Sequence, residues 1–133
     1  DGDETILRYF ELHLLHYLGY RPQLRRCVVC NSPLKPGVNF FSPGQGGALC
    51  SGCNHEEFSS HPISIDALKV LRLWQDCDYP TASRVKMSAK LSSELRQLMQ
   101  VYITYLLQRE VKSMAWLEEL KRGFGVDSNR GVN

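Results

Sequence analysis

Hydrophobic positions recur at helical spacing over most of the chain. Across residues 4–18, Leu7, Phe10, Leu14 and Leu18 lie three or four apart, and Ile6, Leu15 and Tyr17 widen the stripe. This predicts an amphipathic helix with that stripe as its core face, closed by Gly19 and Pro22. A second helix is predicted from 65 to about 76, with Ser64 as N-cap and Ile65, Leu68, Val70, Leu71 and Trp74 as its apolar set. Asp76 through Ala82, with Pro80, breaks the pattern. A third helix is predicted over about 93–108, capped by Ser92, from Leu91, Leu95, Leu98, Met99, Tyr102, Ile103 and Leu106. A last one starts near Ser113 and carries Trp116, Leu117 and Leu120. Residues 123–133 are polar and glycine-rich and read as a disordered tail.

Between the first two helices the pattern changes. Val38–Pro43 reads as a short strand, Gly44-Gln45-Gly46-Gly47 as a turn, and Ala48-Leu49 as a return strand. Cysteine pairs flank this hairpin: Cys27-x-x-Cys30 before it and Cys50-x-x-Cys53 after it, 19 residues apart. That spacing suits one structural Zn2+ held by four thiolates, because each C-x-x-C turn brings two sulfurs to one point. Asn31 and Asn54 follow the second cysteine of each pair, where a left-handed residue is expected. Two disulfides or a redox dithiol are the alternatives. The first requires an oxidising compartment that nothing in the sequence signals, and the second requires only one pair. His55 is a possible substitute ligand, although four cysteines already satisfy the ion. The fold class is therefore mainly α: a small helical bundle with a zinc-ribbon-like β-hairpin module, residues 24–57, inserted after its first helix.

Length and composition fit one domain over 1–122. With 43% apolar residues a packed core is attainable. No apolar run approaches a membrane span and no signal peptide is visible, so a cytoplasmic location is expected. The chain does not begin with Met and reads as part of a longer one. Its net charge of +2 is unevenly spread: residues 1–20 carry one Arg against four acids, and the remainder is net basic.

Catalytic constellations are lacking. There is no glycine-rich phosphate loop, no nucleophile elbow and no H-E-x-x-H. Glu118 and Glu119 are adjacent and do not face one another on a helix. A metal-binding reading of His13 and His16, spaced i, i+3, finds no third ligand, and they read as polar-face residues. Cys77, between Asp76 and Asp78, reads as an incidental thiol whose pKa the acids raise. An enzyme is not expected.

The order of motifs is specific. Phe10-Glu11-Leu12-His13-Leu14-Leu15 leads to Leu18-Gly19-Tyr20-Arg21-Pro22-Gln23-Leu24, then to the first knuckle. Phe41-Ser42-Pro43 with Gly46-Gly47, the second knuckle, Ile63-Ser64 with Ala67-Leu68, and Val111-Lys112-Ser113 follow. Over residues 4–121 this resembles the C-terminal part of the bacterial recombination mediator family RecO. Four positions depart from that family's pattern. Arg is common where His13 stands, a basic residue where Met114 stands, and Pro where Ile65 and Ser93 stand. The family's N-terminal OB-fold has no counterpart in these residues.

The resemblance implies a role in DNA repair and recombination without catalysis. RecO-like proteins bind single- and double-stranded DNA, anneal complementary strands, and work with RecR to help load RecA onto DNA coated by single-strand binding protein. They also bind that protein's acidic, Phe-ended C-terminal tail. Such a tail needs an apolar pocket ringed by cations. The candidate contacts are Arg21, Arg25, Arg26, Lys35 and Lys112. Phe40 and Phe41 are weaker candidates for base stacking, because alternate hairpin residues pack inward. A different reading is a stand-alone zinc-ribbon nucleic-acid binder of transcription or translation.

Overall fold

The computed structural model describes residues 2–55 and 58–123. The tail expected over 123–133 lies, beyond Gly123, outside the described residues. The first helix, α1 (Gly2–Tyr17), carries Asp3 and Glu4 in its first turn, where negative charge complements the helix dipole. Its inward face is not the one its stripe predicts. Thr5, Arg8, Leu12 and Leu15 are buried, whereas Ile6, Leu7, Phe10, Leu14, Tyr17 and Leu18 are exposed. Burying Arg8 is tolerable because its own helix neutralises it. Its Nε donates to Glu11 at 2.7 Å and its Nη1 to Glu4 at 3.4 Å.

Three short strands form an antiparallel sheet of order β2-β1-β3. They are β1 (Asn39–Ser42), β2 (Gly47–Cys50) and β3 (His61–Ile63). The β1–β2 hairpin pairs Asn39 with Cys50 and Ser42 with Gly47, matching the strand-turn-strand expectation. The third strand has no signature of its own. It contains Pro62 and exists by pairing with β1, opposite Asn39–Phe41. A proline is tolerated there because the strand lies at the sheet's edge.

Helix α2 (Ile65–Asp76) has the expected bounds and cap: Ser64 Oγ accepts from the Ala67 amide at 3.1 Å. The broken stretch after it contains one helical turn, α3 (Tyr79–Ala82), capped by Asp78 through the Thr81 amide at 3.0 Å. The two helices expected near 93–108 and from Ser113 are one 35-residue helix, α4 (Ala89–Gly123). Nothing between Ala89 and Arg122 is Gly or Pro, so no residue between the two expected helices ends it. The cap is Ser88, whose Oγ accepts from the Leu91 amide at 3.0 Å, and Ser92 lies inside the helix.

One core serves both the helices and the sheet. Trp74, Leu71, Leu12, Leu95 and Met99 come from the helices, and Phe41 and Ala48 from the hairpin. Phe41 meets Tyr102 edge-on at 5.3 Å between ring centroids. This burial removes Phe41 from any base-stacking role. The Tyr102 hydroxyl donates to the Tyr20 carbonyl at 2.8 Å and the Tyr9 hydroxyl to that of Cys77 at 2.7 Å. Among the described residues no helix is long and apolar enough to cross a membrane.

Candidate metal centre and basic surface

The first knuckle is a tight hairpin. The Cys27 amide donates to the Ser32 carbonyl at 2.9 Å and the Leu34 amide to that of Arg25 at 3.1 Å. Asn31 closes it with a φ of 63°, the left-handed conformation expected after the second cysteine. The second knuckle is built differently. Strand β2 ends at Cys50 and runs into a 3-10 turn, Ser51–Cys53, so Asn54 stays at a φ of −83° and the left-handed expectation fails there. A 3-10 turn needs no reversal of φ.

Backbone bonds hold the knuckles side by side. The Val28 amide donates to Ala48 at 3.0 Å, and Gln23 exchanges bonds with Gly46 and Ala48 at 3.0 and 2.8 Å. This approach requires glycine at 47, where a Cβ would sit 2.3 Å from the Gln23 carbonyl oxygen. Cys27, Cys30, Cys50 and Cys53 thereby converge, their four sulfurs all within 4.8 Å of one another. The Cys30–Cys50 sulfur separation is 3.8 Å. A tetrahedron of ~2.3 Å Zn–S bonds has an edge of about that length. The donor set, four thiols gathered within 4.8 Å of one another, fits a metal ion that takes sulfur ligands.

The thiols are already electrostatically uneven. Bonds from Ser32, side chain and backbone, hold Cys30 down to about 6. Its neighbour Cys53 is pushed up to about 12, first by its bond with Cys50 and then by burial. Burial pushes Cys27 up, but the backbone amides of Cys30, Cys50 and Val29 outweigh it and leave its pKa lowered. Four sulfurs this close cannot all ionise without a cation, which is how thiolate sites select metals. Among the described residues His55 is not part of this group.

The other sequence candidates separate. His13 Nε2 lies 2.7 Å from the Trp74 carbonyl oxygen and its ring packs on Tyr9, so it ties α1 to α2. Burial first, and then Asp78, raises the Cys77 pKa. Glu118 and Glu119 are exposed on α4.

The basic candidates divide in the same way. Arg21 and Arg25 share Asp76, each at 3.0 Å, and this shared bonding draws the Asp76 pKa down. Arg26 instead wraps the first knuckle, donating to the Asn31 carbonyl at 2.9 Å. Lys35 lines a small dent of about 50 Å³ with Lys69 and Arg72, over a floor of Leu34, Ile65 and Leu68. Among the described residues no carboxylate lines it. Lys112 stands apart, on the part of α4 beyond Leu106 where nearly every side chain is exposed. Lys69 and Arg72 had no signal beyond an i, i+3 pair on a helix, and their convergence with Lys35 is tertiary. Arg25 sits close enough to Arg72 that its charge, after burial, lowers the Arg72 pKa.

Comparison with known proteins accounts for this architecture. The family model for the C terminal of recombination protein O matches residues 1–115. The chain belongs to the RecO C-terminal family. It is 40% identical over 119 residues to a protein named DNA repair protein RecO from Dehalococcoides mccartyi strain 195, covering 90% of this chain and 47% of that protein. It is 37% identical over 129 residues to the protein of that name from Roseiflexus sp. RS-1, covering 97% and 46%. With that of Symbiobacterium thermophilum the figures are 36% over 120 residues, 89% and 47%. No solved structure matches. The chain spans about half the length of the RecO proteins it matches. Of the two positions where the RecO pattern has Pro, Ile65 opens α2, where Pro and Ile are both tolerated, whereas Ser93 lies past the first turn of α4 and does not start a helix.

Proposed function

We propose that this chain is a non-enzymatic DNA- and protein-binding part of a DNA-repair protein of the RecO type. The observation that carries the reading is the four-cysteine cluster built beside a face where Arg21, Arg25, Lys35, Lys69 and Arg72 gather with Asp76. A bound Zn2+ would supply charge neutralisation for the thiolates and rigidity for the knuckles, with Cys27, Cys30, Cys50 and Cys53 holding it. The chain's own residues do the rest. The knuckle backbone fixes Arg25 and Lys35 against α2, so the cations present a preset spacing to a phosphate backbone.

In this reading the chain binds single- and double-stranded DNA weakly, consistent with its near-neutral charge. It works with RecR and with the acidic tail of single-strand binding protein, within a protein that anneals strands and assists RecA loading in the bacterial cytoplasm. The dent at Lys35 is too small to seat a Phe ring, so the basic face suits phosphates and a Phe-ended tail would lie elsewhere.

The test is metal analysis combined with a salt titration. Tightly bound zinc near one ion per chain is expected, with single-stranded DNA binding that weakens as salt rises. Measurable affinity for an acidic Phe-ended peptide is expected as well. Metal-free chain that folds normally, or DNA binding unaffected by charge removal at Lys35 and Lys69, would overturn the reading.

A further inference from the structure

The positive charge of the basic face is unevenly balanced. Arg21 and Arg25 share the carboxylate of Asp76. Among the described residues, Lys35, Lys69 and Arg72 have no carboxylate within ion-pair reach; Asp66, one turn before Lys69 on α2, does not pair with it. Cations gathered without a counter-ion repel one another. Arg72 registers this, since burial first and then the charge of Arg25 lower its pKa.

These three cations line the dent of about 50 Å³. Lys69 and Arg72 lie one turn apart on the same side of α2. Lys35 comes from the loop between the first knuckle and β1, and its carbonyl accepts from Nδ2 of the buried Asn39 at 2.8 Å, which ties that loop to the hairpin. Arg72 is anchored through Nε to the Leu24 carbonyl at 2.7 Å. Its two Nη nitrogens have no partner among the described residues and remain a fork of donors. The floor of Leu34, Ile65 and Leu68 is apolar, so charges at this rim are screened less than on an open surface.

Size and charge both select among phosphates. A dent of about 50 Å³ admits a group of a few heavy atoms and excludes a sugar or a base. An internal phosphodiester has a sugar on each side and can only cross the rim. A terminal phosphate has a sugar on one side and three free oxygens on the other. It also carries about −1.5 to −2 charges at neutral pH, against a single charge on the diester. Three unpaired cations match the more highly charged group.

We propose that the dent framed by Lys35, Lys69 and Arg72 is a seat for the terminal phosphate monoester of a DNA strand, so that the chain holds strand ends more tightly than strand interiors. The inference rests on the DNA-binding reading above and adds which part of the strand is recognised. A DNA end suits the site better than a phosphopeptide, because the cations continue from the dent to Arg25 and Arg21, where further phosphates of the same strand can follow. Asp76 weakens the field at those two arginines, so interior phosphates gain less there than the end gains in the dent.

The test measures fluorescence anisotropy with three single strands of one sequence and length, bearing a 5′-phosphate, a 3′-phosphate or neither. Binding of a phosphorylated strand at least about threefold tighter than the bare one is expected at low salt, shrinking as salt rises. A preference at either end supports the seat, and the end preferred identifies the source of the phosphate. The double variant Lys35→Gln/Lys69→Gln should bring the three affinities together, whereas Lys121→Gln, the same kind of charge change at the far end of α4, should leave the preference intact. Equal affinity for all three strands, with salt-dependent binding retained, overturns the end seat and leaves the DNA-binding reading standing. Binding of none of them overturns both. A preference that survives the double variant overturns the assignment to this dent. Stronger competition by a phosphoserine peptide than by the phosphorylated strand also overturns the proposal, because a protein is then the occupant.

Discussion

Arg72 donates from Nε to the carbonyl oxygen of Leu24 at 2.7 Å, across 48 positions of chain. The bond joins α2 to the strand of backbone that enters the first knuckle, and Leu24 itself is buried. Arg72→Met keeps the aliphatic stem but leaves that carbonyl without its charged partner. A loss of about 1–3 kcal/mol is expected in urea denaturation, with metal content unchanged. A loss near zero would mean that solvent satisfies the carbonyl.

Gly47→Ala is expected to act on the metal cluster without touching a ligand. The new Cβ would meet the Gln23 carbonyl oxygen at 2.3 Å and a Val28 methyl at 2.8 Å, so β2 and the first knuckle must separate. Weaker metal retention under chelator and a Tm reduced by several degrees are the expected outcomes, with destabilisation of about 1–3 kcal/mol. Metal competition with a chromophoric chelator reads this directly.

Serine at Cys27 or Cys50 is expected to release the metal and destabilise the chain. A three-sulfur site loses much of the binding free energy, on the order of 10 kcal/mol or more in full, that structural zinc contributes to folding. One tightly held ion per chain in either variant would contradict the four-thiolate assignment.

Asp76 gives a pH dependence. Arg25 first and Arg21 second hold its carboxyl below the ordinary value, so the group favours the folded state when ionised. That contribution is present above the unfolded carboxylate range near 4 and is lost as pH falls through the depressed value. Asp76 is about half exposed, so the effect is small, below ~1 kcal/mol. Asp76→Asn should flatten this acid limb of stability and free both arginines. Tighter binding of single-stranded DNA at low salt is therefore also expected, measurable by fluorescence anisotropy.

The indole of Trp74 is wholly buried and its N–H has no partner among the described residues. Trp74→Phe removes that unsatisfied donor while keeping an aromatic ring. Its cost should be well below the roughly 3–5 kcal/mol expected of Trp74→Ala. Thermal denaturation of the two variants decides it.

Local chemistry made the knuckles legible. The cysteine spacing, the turn glycines, Asn31 and the Ser64 cap each act within a few residues, and each appears where expected. The face of α1 was not legible, because periodicity reports that a stripe exists and not which of two stripes meets the core. Arg8 disguised the true inner face, since its pairing with Glu4 and Glu11 is what permits its burial. The division of α4 was misplaced for a related reason. Apolar residues continue past Leu106 at Leu107, Val111, Met114, Trp116 and Leu117 but lie exposed, so packing stops there while the helix runs on through Arg122. The basic face was half visible: Arg21, Arg25 and Lys35 were in view, but Lys69 and Arg72 join them only through the docking of α2.

The edge-on contact of Phe41 with Tyr102 has a consequence for cooperativity. A ribbon that merely hung from the bundle would melt by itself when its ion is removed, leaving the helices intact. Here the hairpin contributes Phe41 and Ala48 to the same core as Trp74 and Met99, so neither part has a complete interior alone. Stripping the metal should then collapse the ribbon and helix signals in a single transition, and excising the hairpin should yield an unfolded chain rather than a smaller bundle.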